Sequence, residues 1–372
     1  METTGNKSDS YYMAMAIRLA KKALGRTSPN PCVGAVVTRD GEVVGRGYHH
    51  QAGTPHAEAH ALREAGERAR GATIYVTLEP CNHTGRTPPC AQAVLAAGIA
   101  RVVVGMSDPN PLVSGSGIRL LRQRGLDCVV GVLEEQCQAI NRPFVKYITS
   151  GLPYVTMKAA ITLDGRLNFA RDQQDWLTGA AARQYAHLLR DRHDAILVGA
   201  GTAGVDDPSL NVRLRGRTGR DPLRVILDSH LALSPDAKVC TLASEAKTLV
   251  FCRQDAPAEK RKILEQRGVE VCPLALCREG RLDARAALRV LGERQICSLL
   301  VEGGAAVHGE FLRQRLYDEA HLLLAPMFAG ENGLPLLSGF AAPKASQAPR
   351  LERGGYRRLG DDLLIHGLLR YF

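Results

Sequence analysis

One histidine and two cysteines at characteristic spacing constrain this chain more than any other feature. His56 begins a short run that ends at Glu58, and Cys81 and Cys90 follow farther along the chain. One imidazole and two thiolates give a zinc ion three ligands and leave its fourth position open. The alternative is a core histidine with isolated free thiols. The placement of Pro80-Cys81 directly after an apolar strand favours the zinc site.

Glu58 stands two residues after the histidine, where it can face a metal-held water without binding the metal. This is the layout of zinc deaminases, in which an activated water attacks an amino-bearing ring carbon and a glutamate transfers protons. Many such enzymes carry Pro-Cys-x-x-Cys, whereas eight residues separate Cys81 from Cys90 here. The insert contains His83 and Arg86, which suit a polar or anionic substrate. A purely structural loop is the alternative for either side chain.

Length and composition indicate two ordinary globular domains. A chain of 372 residues corresponds to about two domains. Its ten cysteines are scattered, and Cys272 and Cys277 lack a second ligand pair, so core thiols are the default interpretation. The polar N-terminus lacks the apolar segment of a signal peptide, and no run approaches the roughly 18 apolar residues of a membrane span. We therefore expect a cytoplasmic protein with no membrane association.

The positive charge of the chain favours an anionic small molecule over nucleic acid. The formal net charge is +10 at pH 7, which is compatible with either kind of partner. The basic residues are dispersed, however, and no basic run contains interleaved aromatic residues. The expected partner is a phosphorylated small molecule, with no nucleic acid. A homo-oligomer is compatible with these features.

Alternating helices and apolar strands in the first half predict an α/β domain. The predicted helices are 9–24, 56–70, 88–97, 116–124 and 133–147. The predicted strands are 32–39, 42–48, 73–78, 101–106 and 127–132. The first two strands are joined by the hairpin signal Asp40-Gly41. His56 and Cys90 thus fall at helix N-termini and Cys81 just past a strand end, where helix dipoles favour thiolates.

The segment from Gly151 to Pro153 marks the predicted boundary between two domains, residues 1–150 and 151–372. A second series of strands and helices begins at Tyr154. Its predicted strands are 154–160, 194–198, 223–227, 248–252, 297–301, 319–325 and 362–369. Its predicted helices are 179–191, 257–267, 283–292 and 304–315.

A glycine-rich run in the second half imitates a dinucleotide-binding fingerprint. Gly199, Gly201 and Gly204 follow a predicted strand with the spacing G-x-G-x-x-G. That fingerprint requires a helix that begins inside the motif. Residues 205–208, which end in Asp-Pro, would stop such a helix almost at once. The sequence therefore argues against a Rossmann domain.

Several motifs resemble one enzyme family over essentially the whole chain. In the first half they are PNPCVGAVV, GYHHQAGTPHAE, TLEPCNHTGRTPPC and SDPNP. In the second half they lie at 158–166, 176–178, 201–213, 227–229 and 301–304. These segments resemble the bifunctional riboflavin-biosynthesis enzymes, which join a diaminohydroxyphosphoribosylaminopyrimidine deaminase to a 5-amino-6-(5-phosphoribosylamino)uracil reductase.

The resemblance implies a fold, a reaction sequence and two cofactors. The implied fold is a cytidine-deaminase-like three-layer α/β domain followed by a domain similar to dihydrofolate reductase. The first domain would use Zn²⁺ in the hydrolytic removal of an amino group from a phosphoribosylated pyrimidine. The second would pass a hydride from NADPH to the ribose C1′ and leave a ribityl chain.

The resemblance also assigns site residues by position. In the deaminase half it implies zinc ligands at His56, Cys81 and Cys90, with Glu58 as the proton donor. The implied substrate contacts in that half are Asn30, His49, Arg86, Asp108 and Asn110. In the reductase half they are Lys158, Arg190, Leu210, Arg213 and Glu302. The implied NADPH contacts are Ala160, Trp176, Thr202, Asp206, Ser229, Gly304, Ala305, Ala306, Val307, His308, Gly309 and Glu310.

Structural roles remain open for some of these residues. Asn30 and Asn110 both lie between prolines, where an asparagine can serve a turn. Trp176 is also compatible with a core position, and Gly303-Gly304 suits a tight turn from strand to helix.

Two other functions also remain open at this point. One is a nucleic-acid deaminase with an accessory domain. The other is a zinc deaminase joined to a non-catalytic nucleotide-binding domain. Residues 173–175 depart from the usual pattern of the reductase half, which keeps the second alternative open.

Overall fold

A computed structural model of the protein describes residues 8–82, 89–110, 114–170, 176–277 and 279–372. The chain divides into two compact units, Met1–Gly151 and Leu152–Phe372. Each unit contains its own β-sheet. In the described ranges, no helix combines the length and the apolar character that a bilayer crossing requires.

A five-stranded sheet forms the centre of the first unit. Its strands are β1 (Gly34–Arg39), β2 (Glu42–Tyr48), β3 (Thr73–Val76), β4 (Arg101–Val104) and β5 (Asp127–Val130). In the order β2-β1-β3-β4-β5, β1 is antiparallel to both of its neighbours and the last three strands are parallel. The carboxyl ends of β3 and β4 therefore meet at one edge, where open α/β sheets bind ligands.

Helices pack on this sheet and differ from the prediction at one place. They are α1 (Asp9–Ala20), α2 (Ala57–Ala65), α3 (Cys90–Ala96), α4 (Ser116–Gln123), α5 (Glu134–Ile140) and α6 (Arg142–Ser150). The single helix predicted over 133–147 is wrong, because α5 ends before α6 begins. Pro143 explains the break, since its ring lacks an N–H and clashes with the carbonyl one turn earlier in a helix.

Close packing of α2 on β2 sets the position of the residues at the start of α2. A Cβ on Gly47 would lie 2.2 Å from the Ala57 carbonyl oxygen and 2.7 Å from the Ala61 nitrogen. Only glycine permits such an approach. The N-terminus of α2, with His56 as its N-cap, is thereby held against the sheet.

A nine-stranded sheet forms the centre of the second unit. Its strands are β6 (Tyr154–Ile161), β7 (Ala195–Gly199), β8 (Leu223–Leu227), β9 (Thr248–Arg253), β10 (Glu270–Leu274), β11 (Ser298–Gly303), β12 (Glu319–Leu324), β13 (Arg350–Leu359) and β14 (Asp362–Arg370). They follow the order β10-β9-β8-β7-β11-β6-β12-β14-β13. All neighbours are parallel except β14, which is antiparallel to β12 and β13.

The helices of the second unit include a short one within the glycine-rich run, which ends where residues 205–208 were expected to stop it. They are α7 (Ala180–Arg192), α8 (Ala200–Asp206), α9 (Lys238–Thr241), α10 (Ala258–Gln266), α11 (Ala284–Glu293) and α12 (Ala305–Arg313). α8 begins inside the motif and ends after seven residues at Asp206. Asp207 then adopts a left-handed conformation, with φ of 37°, ahead of Pro208.

Candidate functional sites

Three side chains that can hold a metal converge near the carboxyl edge of the first sheet. His56 Nδ1 lies 3.1 Å from Cys90 Sγ and 3.6 Å from Cys81 Sγ, and the three ligand atoms lie within 4.8 Å of one another. His56 is the N-cap of α2, Cys90 opens α3, and Cys81 follows β3. Among the described residues, no other group of three histidine, cysteine or acidic side chains is close enough to share an ion.

The donor set of this triad fits zinc. Bond lengths of about 2.0–2.1 Å for Zn–N and about 2.3 Å for Zn–S imply ligand separations of about 3.5 Å around a tetrahedral ion, close to those observed. A hydrogen bond from Cys90 is the main reason why the pKa of the Cys81 thiol falls to about 4. The same contact raises the pKa of the Cys90 thiol. The pair therefore favours one thiolate, the form in which cysteine binds zinc.

Glu58 lies beside the triad and is 3% exposed. Burial raises the pKa of its carboxyl group to about 7, against the opposing effects of its own backbone N–H and of the His56 charge. A hydrogen bond joins Glu58 to Cys90. A carboxyl group with a pKa near neutral pH can both accept and release a proton, as general acid–base catalysis requires.

Asn30 and His49 form a hydrogen-bonded pair next to the triad. Asn30 Nδ2 lies 3.1 Å from His49 Nε2, and His49 Nδ1 lies 3.2 Å from the Pro55 carbonyl oxygen. The His49 ring stands edge-on to His56, with 5.3 Å between the ring centroids. Burial lowers the pKa of His49. We therefore assign a neutral ring that donates to Pro55 from Nδ1 and accepts from Asn30 at Nε2.

Asp108 and Asn110 lie on the segment that follows β4. The Asn110 backbone N–H donates to Asp108 Oδ1 over 2.9 Å, which is the Asx turn typical of such sequences. Because β3 and β4 are parallel neighbours, this segment and Cys81 follow strand ends at the same edge of the sheet. Arg86, also predicted to contact substrate, lies outside the described residues.

The second unit contains a buried charged cluster built on β6, α7 and β11. Arg190 donates two hydrogen bonds of 2.8 Å to the Glu302 carboxylate, and Lys158 Nζ lies 3.6 Å from Glu302 Oε2. Burial by itself would raise the pKa of Glu302, but the charges of Arg190 and Lys158 hold it well below its usual range. Glu302 therefore remains ionised and fixes both cations in place.

The segment from Leu210 to Arg213 packs beside this cluster. Arg190 Nη1 donates to the Asn211 carbonyl oxygen over 3.1 Å, and the Arg213 backbone N–H donates to His187 Nδ1 over 3.3 Å. Burial, assisted by the charges of Arg190 and Arg213, lowers the pKa of His187 to about 4. His187 is therefore neutral and able to accept that bond. The predicted substrate contacts of the second unit thus lie together.

The predicted cofactor contacts lie at the carboxyl ends of neighbouring parallel strands. Ala160 is the second-last residue of β6, Thr202 follows β7, Ser229 follows β8, and Gly304 follows β11. A Cβ on Gly304 would lie 3.0 Å from Thr202 Oγ1, so the start of α12 approaches α8 closely. The strand-end crevice of such a sheet is where dinucleotides bind, and the N–H groups at a helix start suit phosphate.

The members of α12 differ in their surroundings. His308 is fully buried, Tyr317 Oη lies 2.7 Å from its Nδ1, and its Nε2 has no hydrogen-bond partner. Burial, with the charge of Lys158, lowers the pKa of His308 to about 3. Glu310 forms ion pairs with Arg281 and Arg313. The remaining predicted members are Ala305, Ala306, Val307 and Gly309.

Two further predicted cofactor contacts are Trp176 and Asp206. Trp176 is 69% exposed, so its interpretation as a core anchor is wrong. The guanidinium carbon of Arg183 lies 5.1 Å from the centroid of the Trp176 ring. Asp206 ends α8, and burial raises the pKa of its carboxyl group.

Comparison with known proteins identifies both halves of the chain. Residues 6–106 match the family model described as the cytidine and deoxycytidylate deaminase zinc-binding region. Residues 153–365 match the RibD C-terminal domain. The riboflavin biosynthesis protein RibD of Aquifex aeolicus is 43% identical over 357 residues, which cover 96% of this chain and 97% of that protein. The chain belongs to the RibD family.

Other RibD proteins extend the same similarity. The RibD protein of Escherichia coli K12 is 38% identical over 96% of this chain and 98% of its own length. A RibD structure from Acinetobacter baumannii superposes with a TM-score of 0.87 at 36% identity, over 97% of this chain and 99% of that one. A Thermotoga maritima structure titled as the diaminohydroxyphosphoribosylaminopyrimidine deaminase and 5-amino-6-(5-phosphoribosylamino)uracil reductase gives 0.85 at 37% identity, covering 98% of this chain and 99% of its own.

The predictions of family, fold class and bifunctional enzyme are therefore confirmed. This RibD-family chain has a zinc-binding deaminase domain followed by a reductase domain. The glycine-rich run lies within the residues that match the RibD C-terminal domain, and a seven-residue helix begins inside it.

Sequence reasoning missed two buried residues that organise the first site. Asn141 accepts from the Cys32 backbone N–H over 2.8 Å and donates to the Cys32 carbonyl over 3.0 Å, which fixes the segment that carries Asn30. Glu79 accepts hydrogen bonds from the segment after β4. Since each side chain bonds to backbone far away in the sequence, neither leaves a periodic pattern.

Proposed function

We propose that the first unit hydrolytically deaminates 2,5-diamino-6-(5-phosphoribosylamino)pyrimidin-4-one. We further propose that the second unit then reduces the ribosyl group of the product to a ribityl chain with NADPH. Both steps belong to riboflavin biosynthesis. The observation that carries the proposal is the buried Glu58 beside His56, Cys81 and Cys90, in a RibD-family chain whose second unit matches the reductase domain.

In the deaminase site, each residue would have a separate task. His56, Cys81 and Cys90 would hold Zn²⁺, which supplies Lewis acidity that lowers the pKa of a bound water. Glu58 would accept a proton from that water and return it to the departing amino group, because its pKa lies near neutrality. The Asn30–His49 pair supplies neutral polar groups for the ring edge of the pyrimidine.

In the reductase site, Glu302 would hold Lys158 close to the ribose. NADPH would supply the hydride for C1′, and Lys158 would provide the proton that ring opening requires. Arg190 is committed to Glu302 through two hydrogen bonds. Arg213 is therefore the better candidate for the phosphate of the substrate, because its contacts leave its guanidinium at the surface.

The expected partner is thus a phosphorylated pyrimidine, and the expected location is the cytoplasm. Dispersed basic charge supports a small-molecule partner over nucleic acid. RNA binding that weakens steeply with added salt would favour the nucleic-acid alternative.

One experiment tests both activities. The diaminopyrimidine phosphate is supplied to purified protein with and without NADPH, and ammonia and NADPH oxidation are assayed separately. We expect ammonia in both cases and NADPH oxidation only after deamination. Ammonia release with NADPH binding but no oxidation would support the non-catalytic second domain. The absence of both products would refute the proposal.

A further inference from the structure

Glu79 is a buried carboxylate in the segment between β3 and Cys81. Glu79 is 3% exposed, and its backbone N–H donates to the Met106 carbonyl oxygen over 3.0 Å. A buried carboxylate is costly unless its oxygens are fully hydrogen-bonded. The contacts of Glu79 therefore indicate what it holds.

Both oxygens of Glu79 accept backbone hydrogen bonds from one region. Oε2 accepts from the N–H of Asp108 over 3.1 Å and of Gly115 over 3.0 Å. Oε1 accepts from the N–H of Gly117 over 2.9 Å and of Ile118 over 3.2 Å. An ionised carboxylate has about four lone-pair sites, so these four bonds satisfy it completely. One side chain thus binds the backbone both at Asp108 and at the start of α4.

Glu79 also caps α4 from a distant part of the chain. The N-cap of α4 is Gly115, which has no side chain, and no local side chain accepts from its first N–H groups. Gly117 and Ile118 belong to the first turn of α4, where a negative charge is stabilised by the helix dipole. The carboxylate therefore fixes the start of α4 as well as Asp108.

The same region packs directly on the residue before a proposed metal ligand. A Cβ on Gly117 would lie 1.9 Å from the Pro80 carbonyl oxygen. Only glycine permits this contact. The start of α4 is therefore held at a short, fixed distance from the chain that carries Cys81.

We propose that Glu79 is a positioning residue for deamination, which holds the Asp108–Asn110 segment against the metal-ligand segment so that it can bind the pyrimidine. This inference rests on the proposed deaminase function. Glu79 itself does not contact the substrate in this proposal. Its loss should weaken substrate binding more than it slows the chemical step, with the metal ligands left in place.

The test uses Glu79→Gln in the full-length protein. The amide keeps the shape of the side chain, but its NH₂ group would face two backbone N–H donors, so two of the four bonds are lost. We expect the KM for deamination to rise about tenfold or more, with a smaller fall in kcat. Zinc content and reduction of the pre-deaminated substrate should match the wild type.

Glu64→Gln is the matched control. Glu64 also accepts a backbone hydrogen bond, from Arg46 over 3.1 Å, but its side chain is 49% exposed. This control should leave the KM unchanged. An unchanged KM in Glu79→Gln would overturn the positioning role, whether or not the variant keeps its zinc. A wild-type enzyme that releases no ammonia would refute the proposed function, and the positioning role with it.

Hydrogen exchange of the wild type tests whether Glu79 holds this backbone, even if Glu79→Gln does not fold. Peptides that cover 107–110 and 114–118 should exchange about as slowly as peptides from β4, because most of their N–H groups are bonded inside the protein. Peptides from the exposed turn at 50–55 provide the fast reference. Exchange of 107–110 and 114–118 at the rate of that turn would show that the anchor does not exist.

Discussion

Glu58 and Glu302 are both buried carboxyl groups, yet their pKa values are displaced in opposite directions. Burial raises both, but only Glu302 has two cations, Arg190 and Lys158, whose charges exceed that effect. Glu58 can therefore exchange a proton near neutral pH, whereas Glu302 keeps a permanent charge. One carboxyl group suits proton transfer, and the other suits the fixing of a neighbouring cation.

Replacement of Glu58 should separate catalysis from metal binding. Glu58→Gln removes the proton acceptor but keeps the size of the side chain. We expect deamination to fall by about 10²–10⁴-fold, with zinc content unchanged, since Glu58 is not among the three ligands. Ammonia release and metal analysis of the same preparation check both points. Reduction of pre-deaminated substrate should proceed normally, and zinc loss in this variant would indicate a ligand or folding role.

Cys90→Ser should impair metal binding as well as deamination. The hydroxyl is a much weaker zinc ligand than a thiolate, so we expect this variant to lose zinc and ammonia release together. Metal analysis after dialysis checks the first effect and an ammonia assay the second. Full deamination by a metal-free preparation of either the wild type or Cys90→Ser would contradict the zinc assignment.

The charge of Glu302 should also make stability depend on pH. Glu302→Gln leaves Arg190 buried without its partner, which we expect to cost about 3–5 kcal/mol at neutral pH. Because the folded-state pKa of Glu302 is lowered, its contribution is complete above the unfolded value of about 4.3 and is lost as the pH falls below it. The difference in free energy of unfolding between wild type and variant should shrink accordingly.

Hydrogen exchange of β11 peptides at increasing urea measures this free energy within the second unit. Glu270→Gln is the matched control, because Glu270 pairs with Arg294 through two hydrogen bonds at the surface. An exposed pair of this kind contributes only about 0–1 kcal/mol. A difference for Glu302→Gln that stays constant from pH 7 to pH 3 would contradict the assigned ionisation.

Among the elements, α2 shows how packing places a catalytic group. Gly47→Ala would force the backbone of α2 away from β2, because the new Cβ would lie 2.2 Å from the Ala57 carbonyl oxygen. We expect a loss of about 1–3 kcal/mol in stability together with weaker zinc binding, since His56 moves with the helix. Zinc titration and thermal unfolding measure both. Gly204→Ala, where a Cβ meets nothing within 4 Å, should leave zinc binding unchanged.

The elements that could be predicted from sequence are those with apolar runs. Each predicted strand is present, because the predicted strands are short apolar runs bounded by turn residues. The edge strands β10 and β13 were not predicted. Pro273 interrupts the first and a polar, glycine-containing sequence fills the second, and both features are tolerated only where a strand has one neighbour.

The triad could be predicted because His56, Cys81 and Cys90 are unusual residue types at chemically meaningful spacing. The roles of Glu79 and Asn141 could not. Glu79 resembles any surface glutamate in sequence, and its bonds reach residues 29 to 39 positions away. The role of Glu79 becomes visible only in the fold, where the end of β3 lies next to the end of β4 and the start of α4.

At the scale of the whole molecule, each set of site residues belongs to one unit. The proposed zinc ligands and Glu58 all precede residue 91, and the charged cluster of the second site begins at Lys158. The division of the chain at Gly151 therefore passes between the two sites and interrupts neither. This arrangement allows the two proposed reactions to be tested on separate fragments.

A fragment that ends at Ser150 should bind zinc and release ammonia from the diaminopyrimidine phosphate. A fragment that begins at Gly151 should bind NADPH and reduce the deaminated pyrimidine. In the second fragment, Arg213→Ala should mainly raise the KM, because a lost phosphate contact weakens ground and transition states alike. Zinc analysis, ammonia release and NADPH oxidation measure these outcomes. A second fragment that folds and binds NADPH but never oxidises it would identify a non-catalytic domain, and two insoluble fragments would contradict the prediction that each half folds and works alone.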